Sequence, residues 1–565
     1  MAEKDRSPGL SAEDKTFTKN YLKGGMIVKK RIMALILVLV LAVCGLSACT
    51  AKEGAETTAA ATQKEDGATE KADAGTQAAE NTDAPETEAA ELRDGELYVD
   101  PNPDNWPTVR VEVFGGSKEA EVEAAMNEYL ISINAGVKAD LYSLNFGERA
   151  TQLTLMLTDP DNGIDLFGWR FYSTPRDMVN NEQIICLEKY KEIYPEVWQL
   201  FPEPAYEYCE VNGECWSIPG GDSFSNFSVW SLRKDIAEEI GVMDLADTRI
   251  TIEQMEEVMA KAEAAHPELA WQADTFLRPL MGVDNLGDDK LVGVLIPDRG
   301  INSTEIVNYY ATDEWLDYIK MCKRWNDAGY LVDDPLNTSI NTGLLNDGVC
   351  GAIGYEAFST QYAQSLMQAQ MTNYETISMQ LTDLIGDNSC VYTGWQISQV
   401  CKYPDAAMKL LALMYTDANV HNFICYGIKD ETYVVDENGC AWYPEGKSNP
   451  DENGWNCGGC WWYANECLGY PFQTDYKEYF TDMQALWTDS SISYSKAMGF
   501  VFDPTDVYDQ WTACRATVDQ YRPALLFGQV DIESYNEDFN AELKADGIDD
   551  VIAEMNKQFQ AWLAK

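Results

Sequence analysis

The chain has 565 residues, with 41 Lys and Arg against 93 Asp and Glu, and a formal net charge of −52. Its length allows several domains of roughly 150 residues, and its 45 % hydrophobic content predicts packed cores. This acidity excludes nucleic acid as a partner, because phosphate binding needs clustered Lys and Arg. With only two histidines, His266 and His421, the HExxH and three-His zinc motifs are excluded. We predict no catalytic residues, no metal and no cofactor.

Residues 28–48 are predicted to be a lipoprotein signal peptide. The basic residues 29–31 precede an apolar run that is short for a membrane-spanning helix. The segment Leu46-Ser47-Ala48-Cys49 resembles a bacterial lipobox, in which the final Cys is lipidated and becomes the first mature residue. A short membrane anchor or a buried helix would explain only part of this pattern. We therefore expect lipidation at Cys49.

Residues 1–27 do not fit an export signal, and we expect them to be a mis-annotated N-terminal extension, with translation starting at Met26 or Val28. Residues 49–104 are predicted to be the lipidated Cys followed by a disordered acidic tether. Ala51–Glu91 contains no Leu, Ile, Val, Met or aromatic residue, so it cannot bury enough apolar surface to fold.

The cysteines leave two questions open. Cys457-Gly-Gly-Cys460 could be a redox motif, but no βαβ pattern surrounds it, so a disulfide or simple thiols on an aromatic loop explain it better. Cys209 and Cys215 flank the turn signal Asn212-Gly213. A two-residue loop would place these cysteines on opposite faces, whereas a three-residue loop would pair them across the hairpin.

From Trp106 onward, strand-like and helix-like segments alternate, which predicts an α/β layer fold with parallel strands. Thr251 and Gln254 form a capping box, and Pro404 stands at a first helical position. The predicted elements are the strands Thr108–Phe114, Lys138–Ser143 and Ile164–Trp169, and the helices Lys118–Ile133, Glu148–Leu157 and Asp549–Leu563.

Several segments, in this order along the chain, resemble family 1 extracellular solute-binding proteins, the receptors of ABC importers, and in particular their Gram-positive lipoprotein branch. The resemblance implies a two-lobed, type II periplasmic-binding-protein-like α/β fold with a multi-strand hinge and a helical C-terminus. Lys429-Asp430 departs from the acidic-glycine pair that is usual at that turn. The segments are residues 148–165, 211–219, 229–242, 325–335, 348–355, 394–417, 426–433 and 539–565.

The resemblance also implies domain boundaries and a function. Lobe 1 is expected to comprise residues 105–222 and 375–430, and lobe 2 residues 223–374 and 431–565. The expected protein is a monomeric receptor, lipid-anchored outside the cell, that captures an oligosaccharide between its lobes and delivers it to an ABC permease. An exported carbohydrate-active enzyme and a surface glycan adhesin are the alternatives. Residues 1–50 carry +4 and residues 51–100 carry −10, which leaves −46 on the rest and favours neutral sugars.

Candidate ligand-binding residues follow strand ends and the expected crossing between lobes. Trp169 and Arg170 end the third predicted strand, where ligands of open α/β sheets bind, although Trp169 could equally be a core residue. Asp222 and Asn226 follow the crossing strand and could instead belong to an ordinary polar loop. Tyr355 lies where the family places an aromatic residue in the cleft.

Four tryptophans complete the candidate set. By resemblance, Trp395 and Trp511 fall at cleft-facing positions, and burial in a core is the alternative for both. Trp461, Trp462 and Tyr463 are consecutive, and three adjacent large rings cannot all face one core in a regular element. We therefore expect at least one of them to be exposed or to face a ligand.

Overall fold

The structure is a computed structural model, and it describes residues 95–564 except 273–274, 339–342, 371–372, 392, 457–461 and 473–475. The predicted extension, the signal peptide, Cys49 and the tether up to residue 94 lie outside the described residues. The same holds for Cys457, Cys460 and Trp461. Within the described part, no helix combines the length and the apolar character needed to cross a membrane.

The strands and helices alternate along most of the described chain. The strands are β1 (Thr108–Val113), β2 (Lys138–Ser143), β3 (Leu166–Gly168), β4 (Glu210–Val211), β5 (Glu214–Cys215), β6 (Ile218–Pro219), β7 (Phe227–Arg233), β8 (Ala352–Ala357), β9 (Thr376–Gln380), β10 (Ile385–Gly386), β11 (Gly394–Ile397), β12 (Val434–Val435), β13 (Ala441–Trp442) and β14 (Ser493–Tyr494). The helices are α1 (Glu119–Ser132), α2 (Arg149–Met156), α3 (Pro175–Asn180), α4 (Tyr190–Ile193), α5 (Glu203–Glu207), α6 (Lys234–Ile240), α7 (Ile252–Ala265), α8 (Arg278–Met281), α9 (Asp313–Asp327), α10 (Gly343–Asn346), α11 (Thr360–Gln370), α12 (Pro404–Thr416), α13 (Ala418–Tyr426), α14 (Pro450–Asn453), α15 (Tyr479–Trp487), α16 (Tyr508–Leu526), α17 (Ile532–Ala545) and α18 (Ile548–Leu563).

The first sheet has the strand order β2-β1-β3-β11-β6. The strands β1, β2 and β3 are parallel, and β11 runs antiparallel to both β3 and β6. Alternation in β1 buries Val109, Val111 and Val113 completely. Val122 and Met126 lie on the buried face of α1, one turn apart, and join the same core. The predicted strands and helices in this region are confirmed to within a few residues.

The second sheet is antiparallel, with β7 between β8 and β9. Its core also takes in α9 and the C-terminal helices α16, α17 and α18. The capping box predicted at Thr251 and Gln254 is confirmed at the start of α7, and Pro404 begins α12 as expected. The predicted fold class, with two cores and a helical C-terminus, is therefore confirmed.

We call the two cores lobe 1 (residues 95–224 and 391–464) and lobe 2 (residues 227–381 and 500–563). The chain crosses between them three times, at residues 225–226, 382–390 and 465–499. The crossings pair with one another, because Asn226 bridges Ile385 and β10 is parallel to β14. These three segments are the hinge.

Two of the sequence-based boundaries need correction. Ile377 and Met379 pack in lobe 2, although residues from 375 onward were assigned to lobe 1. Conversely, Tyr433, Trp455 and Trp462 pack in lobe 1, although residues 431–565 were assigned to lobe 2. The physical reason is the third crossing near β14, which lets the aromatic segment after α13 cover the first sheet before the chain enters lobe 2.

The hairpin β4–β5 answers the question about Cys209 and Cys215. Val211 pairs with Glu214, so the loop is the two-residue turn Asn212-Gly213, and both of these residues have positive φ. Cys215 therefore faces Glu210, and both cysteines are free thiols. Burial raises the pKa of Cys215 to about 11, so this thiol is poorly reactive in the native state.

We predict that Cys209 and Cys215 resist alkylation in the native protein and react fully in denaturant without any reductant. Both thiols are buried, so access rather than oxidation limits the native reaction. Peptide mass mapping after iodoacetamide treatment measures this, with a pre-reduced sample as control. A peptide cross-linked through these two cysteines would contradict the register of the hairpin.

Candidate functional site

A cavity of about 460 Å³ lies between the two lobes. Arg170 reaches it from the carboxyl end of β3, where ligands of open α/β sheets bind. Asp222, Asn226 and Ser389 come from the crossing segments, and α15 closes one side with Tyr479 and Met483. The lobe 2 wall consists of Phe276, Leu277, Arg278, Gly354, Tyr355, Glu356, Ala357, Phe358 and Tyr362.

An ion pair lies in the lobe 2 part of the wall. Arg278 donates through Nη2 to Glu356 Oε2 at 2.8 Å and through Nε to Glu356 Oε1 at 3.2 Å. The two side chains are 28 % and 19 % exposed, so both can meet a ligand. Burial alone would lower the pKa of Arg278, but the Glu356 carboxylate raises it above its usual value. The bidentate geometry fixes both groups in orientation.

Asn226 extends this polar wall from the hinge. Its Nδ2 donates to Glu356 Oε2 at 3.4 Å. Its Oδ1 is buried and has no hydrogen-bond partner among the residues that the structure describes. Because buried polar atoms in native proteins normally have partners, an acceptor left open at a cavity wall favours a donor supplied by a ligand.

Three aromatic rings form another part of the wall. Phe358 and Tyr362 stack with ring centroids 4.8 Å apart and an interplanar angle of 22°. Tyr362 and Tyr479 continue the stack at 5.4 Å and 16°. Such near-parallel rings present flat apolar faces, which suit the C–H face of a sugar ring.

A buried ion pair in lobe 1 fixes the position of Arg170. Glu112 and Arg149 are almost fully buried, and Arg149 Nη2 lies 2.9 Å from Glu112 Oε2. Glu112 also accepts from the Gly168 N–H at 3.1 Å, and Arg149 Nη1 donates to the Arg170 carbonyl at 2.8 Å. The end of β3 is thereby tied to β1 and α2, which directs Arg170 into the cavity.

Asp222 and Tyr355 lie beside Arg170. Asp222 Oδ1 accepts a 3.0 Å hydrogen bond from the Ser223 hydroxyl, and its carbonyl accepts from Trp487 Nε1 at 2.6 Å. Burial raises the pKa of Tyr355, and the charges of Arg170 and Asp222 act on it in opposite directions. The structure therefore brings together four of the predicted site residues, Arg170, Asp222, Asn226 and Tyr355.

The described tryptophan candidates do not line the cavity. Trp169 is 4 % exposed and packs on Gly394, where an added Cβ would lie 2.5 Å from its ring. Trp395 and Trp462 are fully buried, and Trp395 Nε1 donates to the Trp462 carbonyl at 3.0 Å. Trp511 is half-buried against lobe 2, with Arg515 over its ring. Direct ligand contact by these residues stays a prediction, and Trp461 lies outside the described residues.

Sequence reasoning missed the ion pair and the aromatic stack. Arg278 and Glu356 are 78 positions apart, and no local pattern joins them. Phe358 and Tyr362 follow Tyr355 closely in the sequence, so the concentration of aromatic residues in this segment could have indicated part of the stack. Tyr479 joins the stack only because the chain returns across the hinge.

A second buried ion pair ties the hinge together behind the cavity. Arg299 Nε donates to Asp387 Oδ2 at 2.7 Å, and Arg299 Nη1 donates to the Asn226 carbonyl at 2.7 Å. Asp387 in turn accepts from the backbone N–H of Ser389 at 2.9 Å. The positions of Asn226 and Ser389 in the cavity wall thus depend on one guanidinium.

Asp284 adds a second carboxyl to this buried region. Burial and the nearby Asp387 charge raise the pKa of Asp284. Burial would also raise the pKa of Asp387, but the charges of Arg299 and Arg278 and the hydrogen bond from Ser389 together lower it. Asp284 therefore keeps its proton more readily than Asp387. Among the described residues, no group of three or more His, Cys, Asp or Glu side chains is arranged to hold a metal ion.

We predict that the free energy of unfolding falls as the pH rises from about 5 to about 8, and falls less in the variant Asp284→Asn. The native state keeps a proton on Asp284 that the unfolded chain releases near pH 4, so raising the pH favours unfolding until the raised pKa is passed. Urea denaturation at both pH values measures the difference. Asp161→Asn, at an 83 % exposed side chain, is the control. An unchanged pH dependence in Asp284→Asn would contradict the protonated assignment.

Known proteins share this architecture. A family profile described as "Domain of unknown function (DUF3502)" matches residues 496–564, which cover α16, α17 and α18. A curated relative, the carbohydrate ABC transporter substrate-binding protein of Streptococcus pneumoniae, is 21 % identical over 470 residues, covering 81 % of this chain and 91 % of that protein.

Two solved structures have the same fold. The N-glycan transport solute binding protein NgtS from Streptococcus pneumoniae superposes with a TM-score of 0.69 at 19 % identity, covering 81 % of this chain and 99 % of NgtS. NgtS has also been solved in complex with Man1GlcNAc and with Man5GlcNAc. A solute binding protein from Bifidobacterium longum infantis, described as HMO binding, gives a TM-score of 0.54 at 16 % identity, covering 81 % of this chain and all of that one.

The fold is therefore that of the two-lobed type II solute-binding proteins. The resemblance to family 1 extracellular solute-binding proteins is confirmed, and the curated relative is a substrate-binding protein of an ABC transporter rather than an enzyme.

Proposed function

We propose that this protein is the extracellular substrate-binding component of an ABC importer and that it captures an oligosaccharide in the cavity between its lobes. The proposal rests on one observation: an aromatic wall and a charged wall line the same cavity. The stack of Phe358, Tyr362 and Tyr479 faces the same space as the Arg278–Glu356 ion pair. A sugar needs both, because its C–H faces bind aromatic rings and its hydroxyls need charged or amide partners.

The relatives support this substrate class. NgtS carries N-glycan transport in its name and has been solved with mannose- and GlcNAc-containing glycans, and the curated relative is named for carbohydrate. The charge of −46 on residues 101–565 favours a neutral glycan over a highly anionic one.

The proposed mechanism is capture by lobe closure. Arg170 approaches the cavity from lobe 1, and Tyr355 and Glu356 approach it from lobe 2. A ligand that contacts both sides favours the closed arrangement by its extra contacts there. As part of the same proposal, lipidation of Cys49 holds the receptor at the outer face of the membrane, and the acidic tether lets the folded part reach the permease.

We expect isothermal titration calorimetry to detect binding of Man5GlcNAc to the purified protein, and Glu356→Gln to weaken that binding about tenfold. The substitution keeps the shape of the side chain but removes the negative charge that pairs with Arg278 and strengthens hydrogen bonds from sugar hydroxyls. The loss of one charged hydrogen bond to the ligand accounts for an effect of this size. Glu375→Gln, in an exposed ion pair with Lys234, is the matched control.

A glycan panel without any binding, beside a peptide panel that gives binding, would overturn the proposed substrate class. Equal affinities for Glu356→Gln and the unmutated protein would remove the ion pair from the ligand site.

A further inference from the structure

A group of aromatic rings lies just outside the cavity, at the carboxyl ends of the three parallel strands. Phe114 follows β1, Phe146 lies shortly after β2, and Phe171 lies shortly after β3. Trp462 packs beneath them, with its ring centroid 4.8 Å from Phe114, 6.3 Å from Phe146 and 6.0 Å from Phe171. In an open α/β sheet this is the edge where ligands bind.

Two of these rings are open to solvent. Phe146 and Phe171 are each 60 % exposed, and their centroids lie 5.6 Å apart in an edge-to-face arrangement. A single exposed aromatic ring is ordinary on a protein surface. Here two exposed rings share the fully buried Trp462 as a support, so their positions are fixed. We call Phe146 and Phe171 the aromatic platform.

The backbone at Phe171 is unfavourable for this residue. Its φ is 54°, in the left-handed region that bulky side chains avoid. The conformation is imposed by its neighbours, because Arg149 holds the Arg170 carbonyl and the Tyr172 N–H turns back to the Trp169 carbonyl at 3.0 Å. A glycine would fit such a position without strain. A large exposed ring at a strained position suggests a role outside stability.

The platform is continuous with the mouth of the cavity. The Arg170 guanidinium lies 4.5 Å from the centroid of the Phe171 ring, and Arg170 also lines the cavity. A ligand that contacts Arg170 from inside the cavity therefore reaches Phe171 when it extends outward. The cavity volume of about 460 Å³ is in the range of small-molecule sites, so a branched glycan has to extend beyond it.

We propose that the aromatic platform of Phe146 and Phe171 is a second subsite, which binds the sugar residues of the glycan that extend out of the cavity. The inference rests on the proposed function. It assigns different parts of one ligand to two surfaces: the sugars at one end of the glycan bind between the Arg278–Glu356 pair and the aromatic stack, and the more distant sugars lie on the platform. The platform therefore selects for glycans longer than a disaccharide.

The test compares two probes, the disaccharide Man1GlcNAc and the longer Man5GlcNAc, by calorimetry on the full chain. We expect the unmutated protein to bind Man5GlcNAc more tightly. In the double variant Phe146→Ala/Phe171→Ala, the affinity for Man5GlcNAc should fall about tenfold, while the affinity for Man1GlcNAc is unchanged. Tyr403→Ala, which removes a 53 % exposed ring elsewhere on lobe 1, is the control.

The single variant Phe171→Gly separates binding from folding. Glycine fits the positive φ, so the melting temperature should stay the same or rise while the affinity for Man5GlcNAc falls. A lower melting temperature together with equal losses for both glycans would show a structural role and overturn the subsite.

Three further outcomes would contradict the proposed subsite. A double variant that binds both glycans like the unmutated protein would contradict the subsite alone, and would leave a protein partner as the occupant of the platform. An unmutated protein with equal affinity for the two glycans would also contradict the subsite. If it bound neither of these two glycans, the subsite would be contradicted, and the proposed function would fail with it only if the full glycan panel also gave no binding while the peptide panel did.

Discussion

The Arg299 guanidinium holds together two of the three chain segments that cross between the lobes. It is 1 % exposed, it pairs with the equally buried Asp387, and it donates to the Asn226 carbonyl at 2.7 Å. A buried charge of this kind is costly to leave unpaired, so the crossing segments are held in one arrangement. The shape of the cavity depends on this arrangement of the crossing segments. Asn226 and Ser389 lie on those segments and form the part of the cavity wall next to the hinge.

Two buried ion pairs position different parts of the cavity wall. The hinge pair fixes the wall between the lobes, whereas the Glu112–Arg149 pair fixes the end of β3 and hence Arg170 in lobe 1. Rigid positioning within each lobe, combined with three crossings that pair with one another, suits a receptor whose lobes close on a ligand. The acidity of the remaining surface disfavours the binding of anionic polymers, and it is compatible with the proposed capture of a neutral sugar.

Local sequence patterns were sufficient to predict individual strands and helices in both lobes. The alternation in β1, the helical spacing of Val122 and Met126, and the capping box at Thr251 are each determined by nearby residues, and all agree with the structure. The positions of Arg170 and Tyr355 at the cavity could also be predicted, since Arg170 follows a strand end and Tyr355 lies in a family motif. These are the parts of the fold that depend on contacts close in sequence.

The features that sequence reasoning missed depend on contacts distant in sequence. Trp455 and Trp462 pack in lobe 1 rather than lobe 2 because the chain crosses a third time only near β14, and no local pattern predicts this crossing. Arg278 meets Glu356 across 78 positions, and Phe146 meets Phe171 only because β2 and β3 both flank β1. Resemblance to the family, together with the strand end at Trp169, favoured tryptophan as the ring that contacts the ligand. Large rings are the residues that cores bury, and in this cavity phenylalanine and tyrosine provide the stack instead.

The proposed binding mode places a glycan between the two lobes, with a sugar ring against the aromatic stack and hydroxyls at the ion pair. A crystal structure of the protein grown with Man5GlcNAc would show this binding mode. We expect a sugar ring within about 4 Å of Tyr362 or Tyr479 and a hydroxyl within hydrogen-bond distance of the Glu356 carboxylate. A glycan bound on another surface, with the cavity between the lobes empty, would contradict this binding mode.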